Sequence, residues 1–292
     1  MLMWIPAILG LSILTGFTGL FSFGHAGFIA IGAYASAVMT KLLGLPFEVG
    51  IATGMIVAVC VAYLLGAMTL KLKGDYFCLA TIAFGEIIRQ LFSNLSFIGD
   101  ARGMQGIPQY ATLPYIVIVD VLLVLIAANL VFSRHGRNMV AIREEELAAQ
   151  MIGVNVYRYK MIALLVSAAL AAISGAFYSH AIPSIQPKDF GMDRSTELTI
   201  VLIIGGIGSI SGSLLATIVL FTIPELFRQF SVWRLAVYGA IVVVIMITRP
   251  KGLMGGLELT PSSLGAYFRG KQLLMMERMK NAKNETGAGG GQ

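Results

Sequence analysis

The chain has 292 residues, 57% of them hydrophobic and only 12% charged, with a mean hydropathy of +0.82 and a formal net charge of +6. A soluble domain is about a quarter charged. So few charges could not cover a soluble fold of this size, which leaves a polytopic membrane protein, and the placement of the basic residues between apolar runs and in the C-terminal tail fits an anionic leaflet rather than nucleic acid.

A membrane crossing takes roughly 20 apolar residues, fewer where protein or water shelters the backbone. On that rule the chain is predicted to be all-α, with about nine transmembrane segments near 4–21, 24–41, 49–70, 78–98, 113–133, 160–181, 196–209, 211–227 and 235–249. The opening "MLMWIPAILGLSILTGF" lacks a basic leading region and reads as a span rather than a cleaved signal. The pairs 4–41 and 196–227 consist of short helices divided by glycine. With nine spans and the C-terminus inside, 14 of the 21 Lys and Arg residues fall on the cytoplasmic side, as the positive-inside rule requires. An eight-span layout is compatible with the same bias. Residues 1–256 are read as one transmembrane domain, with a cytoplasmic loop at 133–160. Residues 257–292 are read as a basic, largely disordered cytoplasmic tail.

The first break is "GLFSFGHAGFIAIGAYASAV", residues 19–38. It is apolar enough for lipid, yet it carries Gly19, Gly24, Gly27, Gly32 and His25. The second, "IGGIGSISGSLLATIV", carries Gly205, Gly206, Gly208 and Gly212. For any single glycine, close packing through small residues is the plainer reading. Two interrupted segments in two halves of a membrane chain point instead to a transporter's substrate route, with His25 marking the first break.

Ionisable residues inside spans are functional candidates by default. Glu86 in "FGEIIRQ" has Arg89 and Gln90 one helical turn away, so either pairing or a place beside the solute route is expected. Asp120 has no local partner and is expected to face another helix; no role is attached to it. His25, His135 and His180 are scattered, and Cys60 and Cys78 have neither disulfide nor metal-ligand spacing. "GAYFRGKQ" has the spacing of a phosphate-binding loop but ends in Gln272 where Ser or Thr is needed to hold Mg²⁺. No nucleotide site is expected in this chain.

One hydrophilic loop is long enough to do something: "SRHGRNMVAIREEELAAQMIGVNVYRYK", residues 133–160. Its middle reads as a short helix with Leu147, Ala148, Met151 and Ile152 on one apolar arc. Glu144, Glu145 and Glu146 occupy its early turns, where the helix dipole favours carboxylates. Gly153 suits a left-handed stop. A solvated surface helix and a grip for an external motor are both compatible with this pattern.

Here a resemblance becomes specific. The Glu-Leu-Ala-Ala-x-x-x-Gly run from Glu146 to Gly153 resembles the EAA coupling loop of ABC importer permeases, and the whole loop resembles its form in branched-chain amino-acid permeases. "LTGFTGLFSFGHAGFIAIGAY" (14–34), "VLIIGGIGSISGSLLATIV" and "RPKGLMGG" agree, and "LKLKGDYFCLATIAFGEIIRQL" (70–91) is similar to the M-type subunit of the high-affinity branched-chain amino-acid (Liv) system. The resemblance covers most of residues 5–256. It implies a multi-pass permease subunit of an ABC importer in a bacterial or archaeal cytoplasmic membrane, moving branched-chain or related hydrophobic amino acids. It further implies an H-type permease partner, two cytoplasmic ATPases and an extracytoplasmic solute-binding protein. ATP would be used by those ATPases, with no cofactor bound by this chain. Residues 139–153 are then expected to form one cytoplasmic helix docked in an ATPase cleft. Leu147, Ala148, Ala149, Met151, Ile152 and Gly153 would make the coupling element, with Arg143 and Glu146 as polar rim pairs. The rivals are an ABC permease for urea, short amides or aromatic acids, and an ion-coupled secondary transporter. An intramembrane enzyme would need a catalytic constellation that the sequence does not display.

Overall fold

A computed structural model describes residues 1–72 and 75–226, together with the isolated positions Gly239, Val243, Ile247 and Gly252. Apart from those positions, the span expected near 235–249 lies outside the described residues, as does the tail 257–292. The described residues all belong to one unit, Met1–Gly256.

Among the described residues ten α-helices follow in chain order. α1 (Ile5–Leu11) is entered by a 3-10 turn and runs on into a π-helical turn, Ser12–Phe17. After the first break come α2 (His25–Lys41), α3 (Phe47–Thr69), α4 (Asp75–Ser93) and α5 (Leu113–Phe132). The loop contributes α6 (Arg134–Glu144) and α7 (Glu146–Met151). α8 (Val156–Ala181), α9 (Met192–Gly205) and α10 (Ile210–Leu226) complete the set. α3, α5 and α8 are each long and apolar enough to cross a membrane; Leu2–Phe17 and Ile210–Thr222 are apolar but shorter. The molecule is therefore a helical, multi-pass membrane protein.

α8 is the central helix, packed on α1, α2 and α3 and buried along most of its length. Small residues let it be central. With lipid outside there is no hydrophobic drive between helices, so close van der Waals contact must supply the association. Gly32 of α2 meets Ala172 of α8 so closely that a Cβ would fall 2.1 Å from the Ala172 carbonyl oxygen. Gly175 lies equally close to the Ile29 carbonyl, where a Cβ would sit at 2.0 Å. α3 presents Gly50, Gly54, Ala58, Ala62 and Gly66, one small residue per turn, to this junction. Its opposite face exposes Ile56, Tyr63, Leu64 and Met68, as a lipid-facing surface should. α5 does the same with Ile118, Leu122, Leu125 and Ile126 outward.

Two loops meet at the far end of the bundle from α6 and α7. The segment after α4 forms a short strand β1 (Met104–Gln105), antiparallel to β2 (Ser184–Ile185) after α8. This two-residue ladder is a small exception to the all-α expectation. Lys41, at the end of α2, donates to the Gln105 carbonyl and ties that helix to the ladder.

The single helix expected over 139–153 is two helices. Glu145 adopts extended backbone angles (φ −158°, ψ 109°), ends α6, and caps α7 by accepting from Leu147 N–H. The charge run that suits a helix start therefore begins a new helix rather than occupying the middle of a longer one. Gly153 follows with φ +85°, the left-handed stop that its position predicts. Asp120 is buried as expected on the face of α5 turned to the bundle, and neither carboxylate oxygen has a hydrogen-bond partner among the described residues.

Candidate functional site

The two glycine breaks meet. The first span ends at Phe17, and the chain turns through Gly19 at φ +78° before α2 begins. α9 ends at Gly205, and the chain turns through Gly206 and Gly208, at φ +111° and +87°, before α10 begins. At their contact, a Cβ on Gly16 would lie 3.0 Å from the Gly208 backbone nitrogen. Gly205 and Gly212 bring the ends of α9 and α10 together, where a Cβ on Gly212 would fall 2.1 Å from the Gly205 carbonyl.

The entry to α2 needs partners, because the first N–H groups of a helix have none of their own. Side chains from other spans supply them. Thr81 Oγ1 on α4 accepts from Phe23 N–H at 3.2 Å, and Ser195 Oγ on α9 accepts from Ala26 N–H at 3.0 Å. His25 Nε2 shares a 2.6 Å hydrogen bond with Ser167 Oγ on α8, and its ring is fully enclosed. Gly24 and Gly27 press on α4, with notional Cβ distances of 2.5 Å to the Thr81 carbonyl and 3.0 Å to the Phe84 ring.

Beside the first break a cleft of about 1050 Å³ opens, bordered by Gly19, Phe21, Leu70, Phe77, Arg143 and Lys160. Of the glycines and charged residues expected along the solute route, Gly19 alone borders this cleft. Gly24, His25, Gly27, Gly32, Gly205 and Gly212 are packing contacts, and Gly206 and Gly208 form a turn. The plainer reading of the glycines, close approach, describes their observed contacts.

The loop is braced against this region. Glu146 pairs with Lys160 in the second turn of α8 at 2.6 Å. Arg143 pairs with Glu144 at 2.6 Å and turns inward, donating from Nη1 to the Gly16 carbonyl at 2.7 Å. Both residues expected as rim pairs thus have partners within the chain. Ala149 is buried against Ile142 and Val156, on the inner side of α7 and away from the expected apolar arc. The outer side is open: Leu147 is 70% exposed, Met151 89% and Ile152 76%, with Ala148 also exposed.

α4 carries a polar face. Glu86 and Arg89 form the expected pair at 2.7 Å, and their side chains remain 41% and 33% exposed. Glu86 lies near the middle of α4, about 16 Å along it at the usual rise. Among the described residues no group of three or more His, Cys, Asp or Glu side chains converges to hold a metal ion.

A family model described as "Branched-chain amino acid transport system / permease component" matches residues 2–248. The chain belongs to that family. The permease is 30% identical over 281 residues to the high-affinity branched-chain amino acid transport system permease protein LivM of Escherichia coli (strain K12), covering 84% of this chain and 66% of the relative. It thus spans just under two thirds of LivM. LivH of the same organism is 21% identical over 279 residues, covering 85% of this chain and 89% of the relative. The nucleoside ABC transporter permease protein NupC of Lactococcus lactis subsp. cremoris is 24% identical over 189 residues, covering 56% of this chain and 60% of the relative. No solved structure matches the permease.

Sequence reasoning singled out the breaks and the loop but passed over Thr81, Ser167, Ser195 and Lys160. Their signal was faint: one small hydroxyl in an apolar span is common, and its partner lies on another helix.

Proposed function

We propose that this chain is a transmembrane subunit of an ABC importer that moves branched-chain or related hydrophobic amino acids across the cytoplasmic membrane. It works with an H-type permease, two cytoplasmic ATPases and an extracytoplasmic solute-binding protein. The loop 133–160 and the C-terminus face the cytoplasm. The observation that carries this reading is the open apolar arc of Leu147, Met151 and Ile152 on α7, a helix whose other side is fastened to α6 and α8. An exposed apolar patch on a braced, water-facing helix suits a protein partner. Family membership supports an ATPase as that partner, one that uses ATP so that the permease need bind none.

The decisive measurement is uptake of radiolabelled solutes with the cognate receptor, in cells depleted of ATP that retain their proton gradient. Loss of leucine, isoleucine and valine uptake under ATP depletion is expected. Uptake that follows the proton gradient would establish a secondary transporter instead. The relationship to NupC keeps a wider solute panel in the test, nucleosides included.

Glu86 and Arg89 front the route or the partner permease. Between their ends α3 and α5 expose chiefly apolar side chains, whereas an open ion pair midway along a helix does not belong against lipid. Glu86→Gln is expected to leave abundance at the wild-type level and to lower uptake about tenfold, the effect of one lost polar contact of about 1.4 kcal/mol. Reduced abundance that Arg89→Gln partly restores would mark the pair as a structural brace alone.

A further inference from the structure

The loop and the two glycine breaks are joined by one side chain. Arg143 sits in the last turn of α6, just before the Glu145 cap of α7, and its guanidinium reaches Gly16, 127 residues away in sequence. Gly16 lies in the π-helical end of the first span, where carbonyls have lost their in-helix donors and a cation is favoured. The stem of Arg143 lies on Gly19, where a Cβ would come within 3.0 Å of Arg143 Cγ. Its Nη1 lies over Gly208, where a Cβ would come within 2.5 Å. Both turns therefore have the left-handed backbone and the missing side chain that admit this arginine. Glu144 holds the remaining guanidinium edge, with its carboxylate accepting from Nε and Nη2 at 3.2 and 2.6 Å.

We infer that Arg143 is a positioning residue that clamps both broken helices to the coupling loop, so that displacement of α7 is passed to the two glycine turns and thereby to the cleft. The inference rests on the importer reading above and assigns Arg143 a task inside the permease rather than on the ATPase. The geometry suits the task because the guanidinium touches the loop's own carboxylate, the first break and the second break at once. A packed junction of this kind has few arrangements, so a small shift at one side is felt at the other.

The test uses the complete transporter in proteoliposomes, with Cys60 and Cys78 replaced by serine and Phe21→Cys as a reporter on the cleft wall. The rate at which a water-soluble maleimide labels the introduced thiol is compared between the nucleotide-free and the ATP–vanadate-trapped states. With Arg143 present the rate is expected to change about tenfold, within the usual range of coupling between sites. Arg143→Gln is expected to abolish that change while the ATPases still co-purify, and Arg143→Lys, which keeps the charge but not the fork, to restore part of it. Two results would overturn the clamp: an undiminished change in Arg143→Gln, or loss of ATPase co-purification in that variant, which would make Arg143 a docking residue. The importer reading fails separately, and takes the clamp with it, if the permease with native Arg143 retains no ATPase and shows no nucleotide-dependent labelling.

Discussion

Gly32→Leu is expected to remove folded permease from the membrane. A Cβ at that position alone would come within 2.1 Å of the Ala172 carbonyl and 2.4 Å of its Cα, both backbone atoms that cannot swing aside. Gly54 on α3 packs on the same spot, so the three central helices would have to part together. Overpacking of a well-packed core by side chains typically costs about 1–3 kcal/mol, and a forced backbone separation costs more, against a total stability of about 5–15 kcal/mol. Gly24→Leu should behave similarly, since it strikes the Thr81 carbonyl. Gly27→Leu meets the edge of the Phe84 ring and the Gly85 backbone, and is expected to insert and fold in part while losing uptake. Fluorescence-detected size exclusion on detergent extracts separates these outcomes. A monodisperse Gly32→Leu permease at wild-type abundance would show that the α2–α8 contact is looser than described.

Met151→Asp is expected to release the ATPases. Met151 is the most exposed residue of the apolar arc, and an unpaired carboxylate buried in a protein interface has no compensating partner. A central anchor of this type is worth about 2 kcal/mol or more, roughly 30-fold in dissociation constant. Gly153→Val acts differently. Nothing crowds Gly153, so its strain is purely that of a β-branched residue at φ +85°, on the order of 1–3 kcal/mol. That variant should keep its fold yet misdirect α7, lowering receptor-stimulated ATP hydrolysis more than ATPase binding. Unchanged co-purification and unchanged stimulation in both variants would remove the main physical support for an ATPase-docking loop.

Much of this was legible beforehand where the signal is local. The helix stop at Gly153 needs only a glycine after an apolar arc, and the Glu86–Arg89 pair needs only a three-residue spacing on one helix. The split at Glu145 was missed because three successive glutamates suit the start of a helix at any of the three positions. Backbone angles choose between them, and the choice depends on how α6 and α7 fold over α8. A histidine in an apolar run, His25, is conspicuous in the sequence, but its bond to Ser167, 142 residues away, which ties α2 to α8, has no local signal.

Composition, periodicity and charge placement by themselves determined that the chain is a helical membrane protein, that two segments are interrupted by glycine, and that one polar loop stands apart. Each of these follows from properties a residue carries wherever it is placed: hydropathy, charge, backbone freedom. Only the tertiary structure decided what each glycine does, since an open turn at Gly153 and a backbone contact at Gly32 are the same letter until a neighbouring helix is present or absent. It also decided that Arg143 belongs to the breaks as much as to the loop, because a hydrogen bond between residues 143 and 16 depends on how three separate segments pack, which no spacing in the chain records.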